Sequence, residues 1–173
     1  VDDLIAHGNN VFVVPHAAPQ YRDGEEDFAL DFSAFESQVG LLCGRGAFLL
    51  LNGVPALRGE PGSPQRVEDL RTILKQEETR LHELGFPRGT YALYPVDEPA
   101  GNGWAHVNAV VEFGKMVREI DPAFPIYVNG GGELPMFEAM APYTDIWCPG
   151  LSMLPEQTPL MKLVRDSGKT LWT

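Results

Sequence analysis

Tyr91–Pro99, which reads YALYPVDEP, sets an aromatic and apolar run directly against two adjacent carboxylates and a proline. The run Tyr91–Tyr94 is typical of a buried strand of a parallel sheet, whereas Asp97, Glu98 and Pro99 cannot continue such a strand. The two carboxylates are therefore predicted just beyond the strand's carboxyl end. In α/β folds that end carries the loops that bind ligands and perform chemistry.

Five further segments also read as strands, and helical patterns separate them. Each is short, rich in β-branched or aromatic residues and bounded by glycine, proline or asparagine: Val11–Val14, Ala47–Leu51, Ile126–Val128, Asp145–Cys148 and Lys169–Thr173. Apolar residues at spacings of three and four predict helices at Asp31–Leu42, with Asp31 as the N-cap, and at Val67–Leu84. The polar segment Ala17–Leu30 is predicted to be a surface loop.

About six strands alternating with helices predict a parallel α/β fold with right-handed crossovers. A doubly wound nucleotide-binding sheet would carry a glycine-rich phosphate loop after its first strand, but the corresponding turn reads PHAAPQYRDG. A (β/α)8 TIM barrel is therefore favoured. Because a whole barrel has eight strands and about 250 residues, residues 1–173 are expected to form one partial barrel, truncated at both ends. The missing barrel segments of the parent chain would be its structural partners.

Composition and charge narrow the classes of partner. The chain has 13 Lys and Arg against 24 Asp and Glu, and the resulting formal charge of -11 disfavours nucleic acid and anionic lipid surfaces. No apolar run approaches the roughly 20 residues that span a bilayer, and the first residues do not read as a signal peptide. Cys43 and Cys148 lack zinc-site spacing. The sequence predicts a soluble protein and leaves its compartment open, secreted and periplasmic locations included.

Aromatic, amide and imidazole side chains recur near the other predicted strand ends. Aromatic rings there could stack on a sugar, although large aromatic residues more often belong to the core. Amides and a histidine could bind sugar hydroxyls, although a lone histidine usually has a structural partner. Six residues are therefore candidates for substrate binding: His16, Asn52, Tyr127, Asn129, Trp147 and Trp172.

Two other patterns carry little functional signal. His16, Asp97 and Glu98 can be drawn as a metal triad, but no i, i+4 or H-x-H spacing supports it, so neither a metal nor a cofactor is predicted. Gly130–Gly132 lacks the spacing of a phosphate-binding fingerprint and is not followed by a long helix. It is predicted to be a flexible loop.

The strand that ends in Asp-Glu-Pro, the later DIWCP and the terminal GKTLWT resemble the catalytic barrel of glycoside hydrolase family 123-like proteins. The resemblance covers most of Thr90–Thr173, and the earlier half is similar only in rhythm. It implies a barrel catalytic domain that hydrolyses N-acetyl-β-galactosaminides with a retaining, substrate-assisted mechanism and a carbohydrate as its substrate. The positions that match the catalytic pair are Asp97 and Glu98.

In that scheme Glu98 donates a proton to the departing glycosidic oxygen, while Asp97 orients the 2-acetamido group whose oxygen acts as the nucleophile. Other functions stay open. A retaining glycosidase could use a carboxylate nucleophile, for which Glu133 is the contender. On residues alone, the Asp-Glu-Pro segment is equally well a helix-entry turn with solvated acids. The chain would then be a non-catalytic carbohydrate-binding or structural barrel remnant, and even an enzyme could be inactive as an isolated fragment.

Overall fold

The protein was analysed as a computed structural model, which describes residues 1–22, 27–150 and 158–172. The chain divides into two compact units, Val1–Ala92 and Leu93–Thr173. Strand β5 begins in the first unit and ends in the second. The first unit contains α1 (Asp2–Ala6), β1 (Val11–Pro15), β2 (Ala18–Gln20), β3 (Ala29–Asp31), α2 (Ser33–Val39), a 3-10 turn (Gly40–Leu42), β4 (Phe48–Asn52), α3 (Pro64–Glu83) and the start of β5 (Tyr91–Tyr94).

Parallel pairing and apolar burial hold the first unit together. Strand β1 pairs with β4 in parallel, from Val11 beside Phe48 to Pro15 beside Asn52. The centre of β4 is buried, as expected for a strand covered on both faces. Helix α3 buries the stripe Val67, Leu70, Ile73, Leu74 and Leu81. It starts at Pro64, three residues before the apolar pattern predicts, because the Ser63 side chain caps the backbone N–H of Arg66.

The segment predicted as a surface loop and the helix after it differ from expectation. The described part of Ala17–Leu30 contains an antiparallel pair, β2 with β3, in which Ala18 lies opposite Asp31. The helix therefore begins at Ser33 rather than Asp31, because Asp31 is the last residue of β3. Its carboxylate accepts a hydrogen bond from the Ser33 backbone N–H at 2.8 Å, which turns the chain into α2. Residues 23–26 of this segment lie outside the described ranges.

The second unit repeats the alternation of helix and strand. After the end of β5 it contains α4 (Trp104–Ile120), β6 (Tyr127–Gly130), α5 (Leu134–Met140), β7 (Ile146–Pro149), α6 (Pro159–Asp166) and β8 (Thr170–Leu171). Strands β6, β7 and β8 form a parallel sheet in that order, and Leu93 of β5 makes a parallel bridge with Ile126. The prediction of parallel strands alternating with helices is confirmed.

The amino ends of the strands in the second unit are joined by a charged cluster. The Arg118 guanidinium donates to the carbonyls of Phe124 at 2.8 Å and Tyr143 at 2.6 Å, and it pairs with Asp145. The Asp145 carboxylate also accepts from the Ile126 backbone N–H at 2.9 Å and lies 3.5 Å from the Lys169 ammonium. These contacts link the segments that lead into β6, β7 and β8.

Candidate active site

Asp97 and Glu98 follow the carboxyl end of β5, where the chain leaves the sheet in a turn. All four residues of β5 are buried, whereas Asp97 and Glu98 are exposed. The Asn102 side-chain amide donates to the backbone carbonyls of both acidic residues, at 3.1 Å each. These bonds fix the backbone of the turn. Because they do not involve the side chains, they leave both carboxylates able to accept other hydrogen bonds.

One oxygen of the Asp97 carboxylate is held by two donors. The Tyr94 hydroxyl from β5 and the Asn129 amide from β6 both donate to Oδ1, the amide at 3.0 Å. These bonds, that of Tyr94 first, lower the pKa of Asp97 below its ordinary value because they favour the charged form. Within the described residues no side chain donates a hydrogen bond to Oδ2, so this oxygen of the charged carboxylate is left for an incoming donor.

Glu98 has an unusual backbone conformation. Its φ is +43°, in the left-handed region that few residues other than glycine adopt. Its backbone N–H donates to Oδ1 of Asn129 at 2.9 Å, and its carboxylate accepts no hydrogen bond within the described ranges. Such strain persists where surrounding contacts impose it, which is common at functional sites.

The three glycines after Asn129 allow the turn that carries Glu98 to lie close to β6. A Cβ at Gly130 would stand 3.0 Å from Cα of Glu98, and one at Gly132 would stand 2.4 Å from Cβ of Ala100. Gly130 also has a φ of +88°. Gly130 is the last residue of β6, so the expectation of a flexible loop is wrong at that position, whereas Gly131 and Gly132 lie beyond the strand. The missing side chains at Gly130 and Gly132 allow close backbone approach.

Aromatic rings lie beside Asp97 in the second unit. The Tyr94 and Tyr127 rings meet edge to face with centroids 5.1 Å apart, and Tyr127 lies 5.5 Å from the half-buried Trp172. Burial and an interaction with the Cys148 thiol raise the pKa of Tyr127. Burial, followed by the hydrogen bond to Asp97, raises the pKa of Tyr94. Both phenols therefore stay protonated and act as hydrogen-bond donors at neutral pH.

Trp147 does not join this group of rings. It is 0% exposed and stacks on Phe137 of α5 with centroids 5.2 Å apart. A sugar could not reach a fully covered indole, so the expected stacking role of Trp147 is incompatible with this structure. Its position in the middle of DIWC places the side chain in the core between sheet and helix.

His16 and Asn52 belong to the first unit. The His16 side chain is only 5% exposed, and its Nδ1 lies 2.9 Å from the Glu77 carboxylate while its Nε2 lies 3.2 Å from the Gly53 carbonyl. Burial alone would lower the pKa of His16, but the charge and hydrogen bond of Glu77 outweigh burial and raise it. Both ring nitrogens thus have protein partners. Asn52, the last residue of β4, is exposed, and its binding role stays a prediction.

Sequence reasoning missed Tyr94 and Asn102 as members of this site and misread the role of Gly130. The apolar pattern indicates only that Tyr94 belongs to the strand, yet its hydroxyl donates to Asp97, three residues along the chain. Asn102 lies between Gly101 and Gly103, and nothing in that local pattern indicates the bonds that its side chain makes. Within residues 1–22, 27–150 and 158–172, no group of three or more His, Cys, Asp and Glu is placed to hold a metal ion. None of the helices in these ranges combines the length and the apolar character of a membrane-spanning segment.

Comparison with solved structures adds the fold class. The chain is similar to the GH53 catalytic domain of Ignisphaera aggregans, with 12% identity, a TM-score of 0.51, and coverage of 87% of this chain and 51% of that one. It is also similar to the intracellular xylanase from Thermoanaerobacterium saccharolyticum, in a native form and in a mutant complexed with xylotriose. Those matches have 13% and 12% identity and TM-scores of 0.54 and 0.55, and each covers 94% of this chain and 63% of the xylanase.

These likenesses concern the fold. Together with the alternating helices and parallel strands, they show an α/β fold that matches part of the TIM-barrel catalytic domains of glycosidases. The chain spans between 51% and 63% of the length of these structures. No protein-family model matches the chain, and no curated protein does.

Proposed function

We propose that the chain carries the catalytic pair of a retaining glycosidase that acts on N-acetylhexosaminides. The observation that carries the proposal is the turn after β5, where a fixed and ionised Asp97 stands beside an exposed Glu98 whose carboxylate has no hydrogen bond within the described residues. Two adjacent carboxyl groups in different surroundings suit two different roles. The barrel likeness to glycosidase domains supports this choice of chemistry.

The roles of the pair follow from their contacts. Asp97 is held ionised by Tyr94 and Asn129, so it serves as an acceptor and keeps Oδ2 for the N–H of a 2-acetamido group. That bond would turn the acetamido oxygen toward the anomeric carbon and balance the positive charge that develops on the nitrogen. Glu98 would protonate the departing glycosidic oxygen and later take a proton from the attacking water.

Within the described residues, no carboxylate other than the adjacent Glu98 is found to act on Asp97, and this favours the substrate-assisted scheme over a carboxylate nucleophile. Ordinary retaining enzymes place two carboxyl groups about 5 to 5.5 Å apart on either side of the bond. The groups that interact with Asp97 in the described residues are Tyr94, Tyr127, Asn129 and the neighbouring Glu98. Glu133, at the start of α5, is exposed, and it is the residue to examine if the acetamido group proves dispensable.

Hydrolysis of paired substrates tests the proposal. The chain should cleave an aryl 2-acetamido-2-deoxy-β-hexoside and leave the matched 2-hydroxy glycoside intact. E98Q should lose activity most on substrates with poor leaving groups, by about 100-fold or more, because these need protonation. D97N should lower activity on good and poor leaving groups alike. Equal hydrolysis of the 2-hydroxy glycoside would overturn the substrate-assisted scheme, and sugar binding without turnover would favour a non-catalytic carbohydrate-binding protein.

A further inference from the structure

Both ends of the Asn129 side-chain amide are occupied by the acidic turn. Its nitrogen donates to Oδ1 of Asp97 at 3.0 Å, and its oxygen accepts from the backbone N–H of Glu98 at 2.9 Å. One amide from β6 therefore holds the side chain of one acidic residue and the backbone of the next. Because its oxygen and one of its N–H groups are already used, little of the amide remains for a sugar hydroxyl.

We propose that Asn129 is a positioning residue that fixes Asp97 and Glu98 relative to β6, in place of the sugar-binding role expected from the sequence. This inference rests on the proposed function of the acidic pair. Asn129 acts through its two neighbours and touches no substrate atom itself. Its effect on catalysis would come from the direction in which the Asp97 and Glu98 carboxylates point.

The chemistry of the position explains why it needs an amide. An aspartate would keep the acceptor for the Glu98 N–H but would replace the donor to Asp97 with a second negative charge. An alanine would remove both bonds. A glutamine would be one methylene longer in a place where the next residue, Gly130, already lies against Glu98. Asparagine combines one donor, one acceptor and the required length.

The surroundings of Asp97 make its ionisation a direct reporter of this contact. The titratable groups around it are Tyr94 from β5, which donates to it, and Tyr127 from β6, which its charge affects. The adjacent Glu98 acts on Asp97 through its backbone N–H and on Tyr94 through its charge, and Cys148 of β7 acts on Tyr127. Both phenols stay protonated at neutral pH because their pKa values are raised. A change at Asn129 should therefore appear as a change in the pKa of Asp97.

N129D and N129A test the inference, with N108D as the matched control. N108D makes the same chemical change at an exposed residue of α4. The pKa of Asp97 would be followed by NMR of its side-chain carboxyl carbon in the whole chain. Kinetics on an activated 2-acetamido glycoside would give kcat and KM separately, together with the acid limb of the pH profile. Circular dichroism would check the fold of each variant, and N129D alone carries the test should N129A not fold.

Two results are expected from a positioning role. N129D should raise the pKa of Asp97 and move the acid limb of kcat upward, while N108D leaves both in place. Both Asn129 variants should lower kcat by about 100-fold with little change in KM, because the carboxylates are misdirected while the sugar contacts survive. An unchanged Asp97 pKa in N129D, or a rise in KM with kcat intact, would overturn the inference. If the wild-type chain hydrolyses no glycoside, the proposed function fails, and the NMR titration still decides whether Asn129 controls Asp97.

Discussion

His16 and Asp97 are both polar residues just past a strand end, yet their side chains differ in what remains available. His16 follows β1 and is covered, with both ring nitrogens bound and its partner Glu77 0% exposed. Asp97 follows β5 and is exposed, with one oxygen held by two side-chain donors and the other without a side-chain donor in the described residues. A polar side chain with every atom satisfied serves the fold, whereas one that is fixed at one atom and open at another can serve chemistry.

The largest expected effect concerns the buried pair of His16 and Glu77. Glu77→Ala should lower the free energy of unfolding by about 3 kcal/mol, because it leaves the His16 imidazole and the Ala17 backbone N–H buried without their acceptor. Glu68→Ala on the same helix removes only an exposed ion pair with Arg71 and should cost less than about 1 kcal/mol. Urea denaturation measures both. Similar values for the two variants would show that the His16–Glu77 pair is dispensable.

The next largest effect concerns the turn that carries Asp97 and Glu98, which is expected to be held close to β6. Gly130→Ala should lower the free energy of unfolding by about 1 to 3 kcal/mol, since its Cβ would press on Glu98 at 3.0 Å and its φ of +88° strains any L residue. Gly40→Ala is the control, because a Cβ there meets no atom within 4 Å and its φ is -58°. Thermal denaturation followed by circular dichroism compares the two. A stable G130A protein would mean that the acidic turn can move away from β6.

The smallest expected effect is on the pH dependence of folding stability, to which His16 and Asp97 contribute with opposite sign. The folded pKa of His16 is raised above 6.5, so its contribution to stability is complete below pH 6.5 and is lost as pH rises through the folded value. The folded pKa of Asp97 is lowered from 3.8, so its contribution is present above that pH and is lost on acidification.

Unfolding curves for the wild type, H16Q and D97N at several pH values would show how the free energy of unfolding depends on pH through each residue. The stability lost in H16Q should shrink toward alkaline pH, and the stability lost in D97N should shrink toward acid pH. The second change is the weaker, because solvent screens the exposed Asp97. Parallel profiles for the two variants would contradict the assigned shifts.

Local patterns were sufficient to predict the parallel strands and the place of the acidic pair. Tyr91–Tyr94 is apolar and ends where carboxylates begin, so the position of Asp97 and Glu98 beyond a buried strand could be read directly. The antiparallel pair β2 and β3 could not, because APQ and ALD are three-residue strands that contain proline, aspartate or glutamine instead of an apolar alternation.

Such local patterns do not predict contacts between side chains that lie far apart in the sequence. Glu77 is 61 residues from His16, and Asn129 is 32 residues from Asp97. Whether a histidine or an asparagine is already satisfied depends on which residue the fold brings to it. Trp147 shows the same dependence, since only the packing of α5 on β7 decides that its ring is covered by Phe137.

The cluster of Arg118 and Asp145 lies at the end of the sheet opposite the acidic turn, and it uses none of the residues proposed for chemistry. The contacts that join β6, β7 and β8 and the contacts that hold the acidic turn thus come from separate sets of side chains. Substitutions at the carboxyl ends of the strands can therefore accumulate without removing the contacts at the amino ends. The second unit has the organisation of an evolvable scaffold, in which one end of the sheet can vary while Arg118 and Asp145 are retained.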